Sequence, residues 1–212
     1  MNQLKRAKRR LAGDEGARIV SDLLNPLTLP LLVFGLAGLA TNESIWSIVE
    51  LLAASAFLFF IIPFLAAVVV IKIKRGTTTD FHSRPSRYGL YLTSCLSVGL
   101  GGLLLFSDIY SGTFRVILVT YLVNLMLAMA INFRWKASVH VGSAITASVL
   151  LSWLSTLEGA GYLPLFLALF ILGLLPLLAW ARFQLRVHSR FEMFLGGLSG
   201  LICTTLTILM LV

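Results

Sequence analysis

Charge is what this sequence has least of. Of 212 residues only 12% are Asp, Glu, Lys or Arg, while 58% are hydrophobic and the mean hydropathy is +0.93. A soluble domain is about a quarter charged, and a chain this short must cover its surface with polar groups to fold in water. The deficit excludes an ordinary water-soluble globule. Acidic residues are scarcer still, nine against 17 Lys and Arg, for a net charge of +8. In a soluble protein that excess would suggest nucleic acid. Here the basic residues punctuate apolar runs, the pattern that orients membrane spans, and no nucleic-acid partner is expected. Cysteine is nearly absent too. Cys95 and Cys203 each fall inside an apolar run without metal-type spacing, as small buried hydrophobes do. No Cys, His and carboxylate cluster has ligand spacing, so neither a metal nor another cofactor is implied.

What is present is a series of apolar runs, each close to the roughly 20 residues that cross a bilayer as a helix. Seven candidates lie at about 25–41, 46–72, 88–106, 114–133, 139–157, 162–180 and 190–212. The expected fold class is all-α, a polytopic helical membrane bundle of about seven transmembrane helices over 25–212. A basic segment, 1–24, precedes it. That segment begins "MNQLKRAKRR" like a signal peptide, but Asp14, Glu15 and Asp22 break the residues where its apolar core would lie. It is expected to be retained as a weakly amphipathic stretch at the membrane surface. The second run carries Pro63, which implies a kink or tilt. Asn124, at mid-depth in the fourth, implies a hydrogen bond between helices. With the N-terminus inside, every one of the 17 Lys and Arg except Arg115 falls in or beside an inside segment. That asymmetry predicts a cell-membrane protein with a cytoplasmic N-terminus and its C-terminus on the opposite side.

The same topology places three polar stations on the cytoplasmic face. The first, "KIKRGTTTDFHSRPSRYG" (72–89), holds Lys74, Arg75, Arg84, Arg87 and His82. The second, "FRWKASVHVGSAITAS" (133–148), puts Ser138 at the N-cap of the fifth span and His140 in its first turn. Exposed N–H groups at a helix start suit an anion. The small residues Gly142, Ser143, Ala144, Thr146, Ala147 and Ser148 allow close helix approach. The third, "WARFQLRVHSRFE" (180–192), places His188 and Glu192 four apart, on one face of a helix, with Arg182 six residues earlier. A carboxylate on one imidazole nitrogen sets the tautomer and leaves the other nitrogen for attack. Each station by itself also reads plainly, as a basic loop, a capped helix and a surface ion pair. Together, planar cations, a helix start and two histidines are what phosphate chemistry asks for.

These residues, in this order and spacing, resemble the type 2 phosphatidic acid phosphatase (PAP2) superfamily of membrane lipid phosphatases. Its signature is Lys, six residues, Arg-Pro; then Pro-Ser-Gly-His; then Ser-Arg, five residues, His, three residues, Asp. Arg84-Pro85 is similar to the end of the first part, "ASVH" (137–140) to the second, and "ARFQLRVHSRFE" (181–192) to the third. The trailing "FLGGLSG", with Gly196 and Gly200, resembles the small-residue helix next in that family. Thr77 stands where the motif has Lys, Ala137 and Val139 replace Pro and Gly, Ala181 replaces Ser, and Glu192 replaces Asp. The resemblance implies a PAP2-like core in which His188 attacks phosphorus with Glu192 orienting it. His140 would protonate the leaving oxygen, and Arg84, Arg182 and Ser138 would bind the phosphate.

The expected function is hydrolysis of a phosphate monoester or diphosphate of a lipid or prenyl alcohol at the cytoplasmic face. The alternative is a catalytically silent relative that binds lipid headgroups or serves as a subunit of a membrane complex. A small transporter is a third reading, disfavoured because no membrane-depth charges line a path through the spans.

Overall fold

The computed structural model describes residues 14–73, 84–105, 112–157 and 161–212. Among these residues every regular element is helical. A short helix α1 (14–23) leads into a turn. Then come α2 (Leu29–Ala40), α3 (Ile45–Ser55), a π-helical turn (Ala56–Ile61) and α4 (Ile62–Ile73). Next are α5 (Arg84–Leu105), α6 (Gly112–Asn132), α7 (Val139–Leu154) and α8 (Leu163–Leu169). A second π turn (Phe170–Leu174), α9 (Leu175–Gln184) and α10 (Arg190–Leu211) complete the chain. The basic stretch 1–13 and the loop holding Lys74, Arg75, Thr77 and His82 lie outside the described residues.

Four stretches are long and apolar enough to cross a membrane: Ile45–Val69, Gly112–Asn132, Leu163–Gln184 and Arg190–Leu211. This is the character of a multi-pass membrane protein. Three apolar helices are shorter, Leu29–Ala40, Tyr88–Leu103 and Val139–Leu154. The first expected span differs most from its sequence window. Asn25 Oδ1 accepts the Leu27 N–H at 2.9 Å, and Thr28 Oγ1 donates to the Leu23 and Asn25 carbonyls. Residues 25–28 are therefore a turn, and the helix begins only at Leu29, with Pro30 in its first turn. Its 12 residues rise about 18 Å, against roughly 30 Å of hydrocarbon.

Both π turns end two residues before a proline, Pro63 in one case and Pro176 in the other. A proline inside a helix removes one donor and pushes its ring against the carbonyl four residues back. The wider π turn lets that carbonyl move aside while the helix continues. The disturbance expected from Pro63 thus takes the form of a local bulge.

Large apolar side chains point outward along the long helices, among them Leu103 at 71% exposure, Leu172 at 79% and Leu209 at 73%. Water would penalise such a belt, and lipid does not. Internally, one group of apolar core side chains comprises Phe34, Phe114, Leu150, Leu151, Leu154 and Leu163, all fully buried. The Phe34 and Phe114 rings stack with centroids 6.4 Å apart. Phe114 opens α6, Leu154 closes α7 and Leu163 opens α8, so this cluster occupies the end of the bundle away from Ser138 and His140.

The contact that organises the other end is between α7 and α10. A Cβ on Gly196 would collide with the Ser138 carbonyl, and one on Gly200 would lie 2.5 Å from the Gly142 oxygen. One turn further, Thr204 Oγ1 donates to Thr146 Oγ1 at 3.1 Å. Ser138 with Gly196, Gly142 with Gly200 and Thr146 with Thr204 advance four residues at a time on both helices. The two helices therefore run parallel, with their starts side by side. The small-residue approach expected on α7 is met by glycine on α10. Asn124 of α6 joins this seam, its Nδ2 donating to Thr204 Oγ1 at 3.1 Å and to the Thr120 carbonyl at 2.9 Å. That is the interhelical bond expected of a membrane Asn.

Candidate functional site

Two helix starts meet where α7 and α10 pair. Ser138 occupies the N-cap of α7, buried completely, yet its hydroxyl makes no capping bond and has no hydrogen-bond partner among the described residues. Its backbone N–H donates to the Glu192 carbonyl at 2.9 Å. Ser189 caps α10, and here the side chains do what capping chemistry asks. The Ser189 hydroxyl accepts the Glu192 N–H at 3.2 Å, and Glu192 Oε2 accepts the Ser189 N–H at 2.9 Å. The motif is a capping box. The loops before the two helices are also tied, by Lys136 Nζ donating to the Val187 carbonyl at 3.2 Å. Two positive helix ends and their preceding loops thus form one rigid edge.

Against this edge lies a cavity of about 370 Å³. Its lining includes Ser138 and His140 from the start of α7, Arg182 from the last turn of α9, and His188 from the loop before α10. The rest of the wall is mainly apolar, with Leu27, Pro30, Phe59, Leu90, Val98 and Leu125 contributing. Four of the six site residues expected from sequence therefore share one cavity, although they come from two separate stretches of chain, 133–148 and 180–192.

His188 and Arg182 are both 8% exposed. His188 Nδ1 faces Glu192 Oε2 at 3.4 Å. The spacing of four predicts that pair, but the route differs from expectation. His188 precedes the Ser189 cap, so it reaches Glu192 from the loop and not from within the helix. The carboxylate oxygen nearest His188 is also the one that accepts the Ser189 N–H. Glu192 is therefore a helix-capping residue as well as a neighbour of the histidine. Arg84 opens α5, and its side chain lies outside the described residues.

Arg182 Nη1 donates to the Ser21 hydroxyl at 2.7 Å. Ser21 lies on α1, 3% exposed, one turn beyond the fully buried Ala17. Gln184 Nε2 donates to Asp14 Oδ1 of the same helix at 3.3 Å. Residues 25–30, just after α1, supply Asn25, Pro26, Leu27 and Pro30 to the cavity wall. Composition alone puts this segment on the membrane surface, outside the site. The signal that points elsewhere is the small pair Ala17 and Ser21 in the spacing 14, 17, 21, 24, which marks one face of a helix. Lys136 carries no such signal, because a lysine in a basic loop is explained by membrane orientation alone.

Arg186 adopts φ 52° in the turn between α9 and α10, directly after the Leu185 C-cap. Such a left-handed residue ends a helix and reverses the chain, which brings His188 back toward Arg182. Arg190 lies over the Phe183 ring, 5.4 Å from its centroid. Neither arginine lines the cavity. Cys203 is buried and Cys95 half-buried, both as free thiols. Among the described residues no group of three His, Cys, Asp or Glu side chains gathers.

No family model matches the chain, and no curated protein or solved structure does.

Proposed function

We propose that this chain is an integral membrane phosphatase hydrolysing a phosphate monoester or diphosphate of a lipid or prenyl alcohol. The observation that carries the reading is that His140, His188, Arg182 and Ser138 all line one mainly apolar cavity. An apolar pocket with a few convergent polar groups is the usual form of a small-molecule site. The apolar wall suits a hydrocarbon tail, and these polar groups suit its headgroup.

In this reading Arg182 and the Ser138 hydroxyl hold phosphate oxygens, supported by the starts of α7 and α10. Glu192 faces Nδ1 of His188, so Nε2 attacks phosphorus. The bond from phosphorus to the lipid oxygen breaks, and His140 delivers a proton to that oxygen. His140 then takes a proton from water as the water attacks the phosphohistidine, the phosphorus–nitrogen bond breaks, and phosphate leaves. Arg84 joins the phosphate ligands through the PAP2 resemblance. The excess of Lys and Arg around these segments favours a cytoplasmic site in the cell membrane, within a core of about seven spans resembling the PAP2 fold.

One observation favours a second reading, a silent relative that binds headgroups or joins a membrane complex. The Ser189–Glu192 capping box explains Glu192 without chemistry. Phosphate release from a panel of lipid and prenyl phosphates by the purified protein in detergent, run beside His188→Ala, separates the two. The enzyme reading expects release that falls by about 10³-fold or more in the variant, an effect on the order of those seen when central catalytic groups are lost. Release from well-folded wild-type protein no greater than from the variant would leave the binding reading.

A further inference from the structure

The helix α1 carries none of the motifs that define the site, yet it reaches the buried Arg182 of that site. Its inward face is short and small. Ala17 is fully buried, Ser21 is 3% exposed, and Asp14 at the same face accepts from Gln184. The opposite face is open and mixed, with Ile19 at 56% and Leu23 at 71% exposure beside the exposed charges of Glu15 and Asp22. A surface helix held only by lipid would turn its apolar residues to the membrane and leave its polar face to water. Here the polar hydroxyl of Ser21 is buried, and its partner is the guanidinium of Arg182, 2.7 Å away.

We propose that Ser21 is a positioning residue for Arg182, so that α1 is an integral part of the phosphate-binding site. The proposal rests on the phosphatase reading for its consequence in turnover, and on the Ser21–Arg182 geometry for its existence. Arg182 is on the last turn of α9 with a long, rotatable side chain. A guanidinium grips phosphate through a planar fork of donors, and its grip depends on the plane being set before the anion arrives. The hydrogen bond from Nη1 to Ser21 sets that plane. A buried bond to a charged group is among the stronger hydrogen bonds. The small volumes of Ala17 and Ser21 allow α1 to approach closely enough for the hydroxyl to reach.

The test compares Ser21→Thr with Ser21→Val. The two side chains are nearly isosteric, and only threonine keeps the hydroxyl. The first readout is independent of turnover: the rate at which phenylglyoxal modifies Arg182, followed by peptide mass spectrometry on the full-length protein in detergent. Arg182 in Ser21→Val is expected to react several-fold faster than in wild type, and Arg182 in Ser21→Thr at the wild-type rate. The second readout is steady-state phosphate release. Ser21→Val is expected to raise KM roughly tenfold, the worth of one hydrogen bond to a charged group, with kcat within about threefold and threonine restoring KM. Equal modification rates in the Thr and Val variants would overturn the proposal. A wild-type protein that releases no phosphate overturns the phosphatase reading alone, because the modification rates still decide whether Ser21 holds Arg182. Faster modification with KM unchanged would overturn the claim that the held plane serves phosphate.

Discussion

The Ser138 N–H donates to the Glu192 carbonyl at 2.9 Å, so the first residue of one helix start is bonded across to the first turn of another. That bond exists because Gly196 has no side chain. Its Cα lies against the Ser138 backbone, where any Cβ would meet the carbonyl. Backbone cannot move aside as a side-chain tip can, so Gly196→Ala must separate the helices. The expected loss is about 1–3 kcal/mol of stability and, on the proposed phosphatase reading, lower phosphate release. Gly197→Ala is the matched control, since its nearest neighbour is Val141 Cγ1 at 3.5 Å, ordinary contact. Thermal unfolding of the two variants in the same detergent checks this. Equal melting temperatures would refute it.

Glu192 has two neighbours, and they can be separated. Glu192→Gln keeps an oxygen for the Ser189 N–H, as capping boxes accept either residue, but removes the charge beside His188. It is expected to leave the melting temperature nearly unchanged and, on the proposed phosphatase reading, to slow phosphate release about tenfold or more. Ser189→Ala removes the cap, and is expected to cost roughly 1 kcal/mol with turnover little altered. Melting and turnover measured on both variants give the outcome. A Gln variant as active as wild type would reduce Glu192 to a capping residue.

Asn124 and Thr204 form a hydrogen bond between α6 and α10 at the depth of the cavity. Interhelical bonds of this kind in membrane proteins average about 0.6 kcal/mol and reach about 1.7. A double-mutant cycle with Asn124→Ala and Thr204→Val should therefore show coupling of about 0.5–1.5 kcal/mol. Strict additivity would mean that the bond contributes nothing to stability.

Arg186 holds a left-handed backbone conformation and is exposed. A side chain there costs about 1–2 kcal/mol relative to glycine, which adopts the conformation freely. Arg186→Gly should raise the melting temperature by roughly 2–8 °C for a chain of this size and, on the proposed phosphatase reading, leave phosphate release unchanged because Arg186 does not line the cavity. A lower melting temperature would show that the side chain contributes more than its backbone strain.

The apolar runs locate the later helices to within a few residues, but they miss α1 and misplace the start of α2, where a turn built by Asn25 and Thr28 replaces the first helical turn. Spans are readable because the tendency to leave water is summed over about 20 neighbouring residues and needs no distant partner. Prolines announce a disturbance for the same reason, although which form it takes depends on packing. The pairing of His188 with Glu192 is also local, a matter of four residues.

Composition and short-range spacing thus suffice for an all-helical membrane chain with basic, histidine-bearing connections. They do not bring Ser138, His140, Arg182 and His188 into one cavity, because that depends on two glycines of α10 admitting α7 along their length. Packing in three dimensions likewise sets Ser21 against Arg182, 161 residues apart in the chain. No local propensity encodes such a contact. It arises when a small buried face on one helix lets a hydroxyl reach a guanidinium on another, and the partner is known only once the helices are packed.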